Sequence, residues 1–215
     1  MLKCRLHFEK TGTAKYISHL DLMDVLRRSF ARAKIPVVFT KGFNPHPWLS
    51  VALPLPTCFE GVCELLDFDL EGDKIPDDFL MSLNKSLPQG ITAVSVFQRL
   101  RAPKFIEYVA YEIRAHGKFD AEKVQTLLEG KGVMMMKKSK SGEVEADITD
   151  YLRGIKVNPM DDGIVIECLL TAGEKSLNPE YLVKAAVKYV EGSELNYATY
   201  KRTEIYDKDF KVFRS

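Results

Sequence analysis

The sequence predicts an α+β chain built as two tandem halves, each with the element order β-α-β-β-α-β and an antiparallel sheet. Three observations carry this. Hydrophobic periodicity alternates between the two-residue repeat of strands and the 3.6-residue repeat of helices, the order of these segments recurs after residue 102, and a polar, Pro-containing stretch from Arg99 to Lys104 separates the two patterned regions. Helices on one face of an antiparallel sheet in this order make a ferredoxin-like half. The expected domains are residues 1–102 and 103–215, with no residue-level repeat between them.

In the first half, Leu2 to Phe8 alternates as a strand, and Tyr16 to Lys34 reads as a helix with apolar positions at Leu22, Met23, Leu26, Phe30 and Ala33. Ser18 followed by Asp21 makes a capping box. Pro36 ends the helix, and Val37-Val38-Phe39-Thr40 is β-branched and aromatic enough for a strand. The turn-rich Gly42-Phe43-Asn44-Pro45-His46-Pro47 interrupts it before Leu49 to Leu55. Strand-like Val62 to Leu70, a short helix from Pro76 to Leu87 and a strand from Ile91 to Phe97 complete the half if residues 36–55 count as one interrupted strand. If residues 49–55 form an independent strand, the alternative is a single larger α+β sheet.

The second half reads as strand Phe105 to Ala115, helix Asp120 to Glu129, strand Val133 to Lys138, strands Ile148 to Val157 and Gly163 to Leu170, helix Pro179 to Val190 and strand Tyr197 to Tyr206. It carries one extra strand. Val133-Met134-Met135-Met136 lacks alternation and reads as buried, whereas Lys137-Lys138-Ser139-Lys140-Ser141-Gly142 reads as a basic hairpin tip, either a phosphate contact or a solvated turn.

A chain of 215 residues, 46% of them hydrophobic, buries roughly two-thirds to three-quarters of its unfolded surface, so its core needs neither disulfides nor metal. Cys4, Cys58, Cys63 and Cys168 show no C-x-x-C spacing and read as reduced structural thiols, with no metal and no cofactor implied. No secretory signal is seen at the N-terminus and no run of eighteen apolar residues, so no membrane partner and a cytoplasmic location are expected.

Thirty-one basic and thirty acidic residues give a formal charge of +1, which excludes a globally basic nucleic-acid binder. The total hides an asymmetry. Residues 1–50 hold nine basic and three acidic residues (+6), residues 51–100 hold three and eight (−5), and the rest sum to zero. A locally basic face is therefore available within a Debye length of about 10 Å. On a helical wheel Asp21, Asp24, Arg28 and Arg32 lie opposite the apolar stripe. Asp24 and Arg28, acid before base at i,i+4, suit a surface pair, leaving Arg27 and Arg32 to meet phosphate.

In a β-α-β unit with parallel strands, the end of the first strand, the start of the helix and the end of the second strand share one sheet edge. That topology is expected to bring Lys15, Tyr16, Ser18 and His19 near Lys41, Phe43, Asn44, His46 and Trp48. A helix N-terminus with Gly, Thr and Lys nearby suits phosphate, and Tyr16, Phe43 and Trp48 could stack on unpaired bases. His19 and His46 could serve as acid and base in metal-independent RNA cleavage. His19, His46 and Asp21 offer metal-ligand types, but at no established metal spacing. A purely structural loop stiffened by Pro45 and Pro47 is the remaining reading.

Tyr16-Ile17-Ser18-His19-Leu20-Asp21-Leu22, Arg27-Arg28, Gly42-Phe43-Asn44-Pro45-His46-Pro47 and the stretch from Leu53-Pro54-Leu55-Pro56 to Glu64 resemble the radical-SAM-linked protein family, whose members occur beside or fused to a radical SAM protein. The resemblance spans most of the chain and departs at Trp48, where a basic residue is common, and at Thr57-Cys58-Phe59. It implies a radical SAM partner in RNA or ribosome-related modification. The chain has no C-x3-C-x2-C cluster to hold that enzyme's iron–sulfur centre, so it is not that enzyme alone. By fold-level analogy only, it is also similar to CRISPR repeat-processing endoribonucleases. The resulting expectation is an RNA-binding accessory protein for tRNA or rRNA, with the 10–19 and 41–48 loops and Arg27, Arg28 and Arg32 as its contact surface, and with an endoribonuclease and a protein-interaction scaffold as alternatives.

Overall fold

The computed structural model describes residues 1–139 and 142–214. Among these residues it is mixed α+β, with four α-helices and antiparallel pairing. Two compact units divide the chain, Met1–Phe105 with Val212–Ser215, and Ile106–Lys211. The expected second half, 103–215, is thus shorter at both ends, because the segment from Val212 packs with the first unit. There the Phe213 ring is fully buried beneath the guanidinium groups of Arg5 and Arg101, 5.0 and 4.5 Å from its centroid.

The first unit contains β1 (Leu2–Lys10), α1 (His19–Arg32), β2 (Leu49–Val51), β3 (Phe59–Leu70), α2 (Phe79–Asn84) and β4 (Ile91–Gln98), in the sheet order β4-β1-β3-β2. Alternation buries Cys4, Leu6 and Phe8 of β1 beside Leu66, Phe68 and Leu70 of β3. Leu22, Met23, Leu26 and Phe30 of α1 close that core, with Phe30 edge-on to Phe68 at 5.2 Å. A 3-10 turn, Gly12–Tyr16, takes up the start of the helix expected from Tyr16. Ser18 then caps α1, its Oγ accepting from the Asp21 N–H at 3.1 Å and donating to Asp21 Oδ2 at 2.7 Å.

The strand expected at Val37–Thr40 does not form as such. Val37 and Phe39 make only single bridges, to Leu70 and Pro47, and the second strand of the unit is Leu49–Val51. Residues 39–47 fold into a hairpin on the edge of the sheet, between Val38, whose N–H donates to Asp69 O, and Trp48, whose N–H donates to Val38 O.

The second unit contains β5 (Tyr108–Lys118), α3 (Ala121–Glu129), β6 (Met134–Ser139), β7 (Gly142–Asp147), β8 (Leu152–Met160), β9 (Gly163–Thr171), α4 (Glu180–Tyr189) and β10 (Glu194–Tyr206). Its sheet order is β10-β5-β9-β8, and β6 and β7 pair as a separate hairpin. Only Val133 of the expected buried run is buried, and Met136 is exposed. Ile148–Tyr151 is a 3-10 turn and not the start of a strand. The basic tip expected at 137–142 includes residues 140 and 141, which lie outside the described residues. Lys137 is engaged, its Nζ donating to Ser176 O at 3.0 Å and lying 4.2 Å from the Tyr151 ring centroid.

Candidate nucleic-acid interface

The 39–47 hairpin is held from its base. Arg99 lies 5.3 Å over the Trp48 ring and is itself fixed by Asp67 at 3.3 Å and Asp69 at 3.5 Å. Asp67 also binds the buried Arg5 through two of its three guanidinium nitrogens, Nε and Nη2. Further out, the Thr40 N–H donates to His46 O at 2.8 Å and the His46 N–H donates to Thr40 Oγ1 at 3.2 Å. Gly42, at φ +132°, makes the turn that side chains resist. This rung and the two prolines display Lys41, Phe43, Asn44 and His46 to solvent, with Phe43 fully exposed. Trp48 differs from expectation. It is half-buried, and Arg99 occupies one face of its ring, so that face is closed to a stacked base.

The other predicted cluster precedes α1. Lys15 Nζ lies 3.8 Å from Glu60 and 5.3 Å from the Tyr16 ring centroid, and the Lys15 carbonyl accepts from the Cys58 N–H. Ser18 is committed to capping. Tyr16, His19 and Leu20 are exposed, Leu20 at 75%.

The two clusters do not converge. β1 pairs Lys3 with Asp69 and Lys10 with Gly61. The hairpin springs from the Asp69 level, whereas the turn before α1 follows Lys10, about 23 Å further along the strand at ~3.3 Å per residue. α1 runs 14 residues between them, roughly 21 Å at 1.5 Å per residue. His19 and His46 therefore lie toward opposite ends of the sheet, well beyond the reach of a shared acid–base step. The physical reason is the identity of the second strand. Because it is Leu49–Val51, the Gly42–Pro47 turn precedes it and sits at the end opposite the start of α1.

The three arginines of the expected contact surface differ in their partners. Arg27 Nη1 donates to Asp24 Oδ1 at 3.1 Å, and Arg32 Nη2 donates to Ser86 O at 2.6 Å and to Ser29 Oγ at 3.1 Å. Arg28 is exposed and has no hydrogen bond or ion pair among the described residues. Of these three arginines, it alone has no such partner among the described residues.

Cys4, Cys63 and Cys168 are buried and Cys58 is exposed. Burial pushes the Cys4 thiol to about 11 and the Cys168 thiol to about 12, so neither is a nucleophile near neutral pH. Sequence reasoning missed His116, whose Nδ1 lies 2.7 Å from Asp162 Oδ2 and whose ring stacks on Tyr197 at 4.2 Å. The signal was β10 placing Tyr197 opposite His116, a pairing that no local pattern exposes.

A family model described as "Uncharacterized protein conserved in bacteria (DUF2344)" matches residues 3–179, spanning the hairpin, all of the first unit's helices and most of the second unit. The chain belongs to this family. No curated protein matches it. Among solved structures, it is similar to one titled "Crystal Structure of a Cbf5-Nop10-Gar1 Complex", with a TM-score of 0.51 and 10% identity over 97% of this chain and 50% of that one. The chain thus spans half the length of that neighbour, and the likeness concerns the fold alone. For this DUF2344 chain, no helix among the described residues is long and apolar enough to cross a membrane.

Proposed function

We propose that this protein is a cytoplasmic RNA-binding accessory protein that presents tRNA or rRNA to a radical SAM partner, and that its two units are tandem ferredoxin-like halves. The second part is supported by the shared strand order, β4-β1-β3-β2 in one unit and β10-β5-β9-β8 in the other. The partner rests on the motif resemblance.

The observation that carries RNA binding is Phe43, a fully exposed ring at the tip of a braced hairpin, beside exposed Lys41 and Asn44. An apolar ring held in water costs solvation and contributes nothing to the fold, whereas stacked on an unpaired base it is worth about 1–3 kcal/mol. Fluorescence anisotropy with single-stranded RNA tests this. Binding should weaken steeply with salt, and Phe43→Ala should cost roughly tenfold in affinity with no change in thermal unfolding. Undetectable binding at low salt removes the proposal.

The scaffold reading is favoured by a different observation, the exposed Tyr16 and Leu20 at the start of α1. A surface there suits the partner protein while the hairpin holds RNA. Leu20→Glu should then abolish co-purification with the radical SAM protein and leave RNA affinity unchanged. An endoribonuclease using His19 with His46 has no support from the strand register.

A further inference from the structure

The hairpin's histidine makes one asymmetric set of contacts. His46 Nδ1 lies 3.1 Å from the backbone carbonyl of Asn44 and 3.3 Å from Thr40 Oγ1, and Thr40 Oγ1 already accepts from the His46 N–H. A carbonyl oxygen only accepts, so Nδ1 is the nitrogen that carries the hydrogen. In the neutral imidazole this leaves Nε2 as a bare acceptor. It has no partner among the described residues, and the residue is exposed on the same hairpin as Phe43 and Lys41.

A nucleic acid offers such an acceptor two kinds of donor, the amino and imino groups of its base edges, which RNA and DNA share, and a single group of the backbone. Phosphate and ring oxygens of the backbone only accept, so the ribose 2′-hydroxyl is the one backbone group that can donate, and it is absent from DNA. We infer that His46 selects RNA over DNA, its Nε2 accepting a hydrogen bond from a 2′-hydroxyl of a strand stacked on the hairpin. This rests on the RNA-binding reading above and adds to it the sugar chemistry that the site recognises. The division of labour is physical: Phe43 stacks on any base, Lys41 attracts any phosphate, and His46 reads the sugar. The i to i+2 contact from His46 back to the Asn44 carbonyl is what holds the ring in the tautomer that does so.

The test uses the full chain at pH 8 with three labelled dodecamers of one base: uridine, 2′-deoxyuridine and 2′-O-methyluridine. The 2′-O-methyl strand keeps the ribose oxygen but cannot donate. The wild-type protein should bind the uridine strand about 3–10-fold more tightly than the other two, the worth of one neutral hydrogen bond. His46→Phe keeps a flat ring without nitrogens. It should lower uridine binding to the deoxyuridine level and leave deoxyuridine binding unchanged. Equal wild-type binding to all three strands overturns the inference and leaves the RNA-binding reading standing. A preference that survives in His46→Phe, a loss shared equally by RNA and DNA in that variant, or wild-type 2′-O-methyl binding as tight as uridine binding also overturns it. Failure to bind any strand overturns the RNA-binding reading itself.

Discussion

Asp24 chooses between two arginines on adjacent positions of α1, and its choice decides which charge is left for a polyanion. Its carboxylate holds Arg27 at i+3 and leaves Arg28 at i+4. Such an exposed pair is worth only a few tenths of a kcal/mol, yet it sets where a guanidinium spends its time. Arg32 is turned toward the Ser86 carbonyl in the same way. Arg28→Ala should therefore reduce the slope of log affinity against log salt by about one. Arg27→Ala and Arg32→Ala should each change it by much less. Anisotropy titrations at several salt concentrations separate these outcomes, and equal slopes for all three variants would contradict the assignment.

At the scale of elements, the hairpin of β6 and β7 is tied at its base by one carboxylate. Asp147 accepts from the N–H groups of Gly132 at 2.7 Å, Val133 at 3.1 Å and Thr149 at 3.0 Å, and from Thr149 Oγ1 at 2.7 Å. Burial alone would push this carboxyl up, but the hydrogen bonds outweigh it and hold the group below its ordinary 3.8. A carboxyl lowered by folding contributes stability that is complete above its unfolded value and is lost as pH falls through the lowered one. Amide protection at Gly132, Val133 and Thr149 should thus persist to pH 4 and fall below it, and Asp147→Asn should lose it at neutral pH. Hydrogen exchange followed by NMR, corrected for intrinsic rates, reads both. Elements with local signals were legible from sequence: α1 from Leu22, Leu26 and Phe30 with Ser18 before them, and β1 from its alternation. Val37–Thr40 was not, because a β-branched run signals extended backbone and says nothing about which partner pairs with it. That single ambiguity moved the Gly42–Pro47 turn from one end of the sheet to the other, and with it the expected meeting of His19 and His46. The pairings of Trp48 with Arg99 and of Arg32 with Ser86 depend on contacts between residues distant in sequence, which periodicity does not encode.

At the scale of the whole molecule, the first unit is discontinuous. Arg5 donates through Nη1 to the carbonyl of Arg214, 209 residues away, and shares Phe213 with Arg101. Phe213→Ala should cost about 3–5 kcal/mol by removing a fully buried ring that two guanidinium groups contact. Chemical denaturation checks this, and a loss under 1 kcal/mol would show the ring to be dispensable. The arrangement also sets a clock. At a synthesis rate of about 5–20 residues per second, the segment that covers Arg5 is made roughly 5–20 s after Phe105, once the whole second unit has been translated. For that interval Arg5 lacks both the ring of Phe213 and the carbonyl of Arg214, so the contacts that complete its burial are the last that the growing chain can supply.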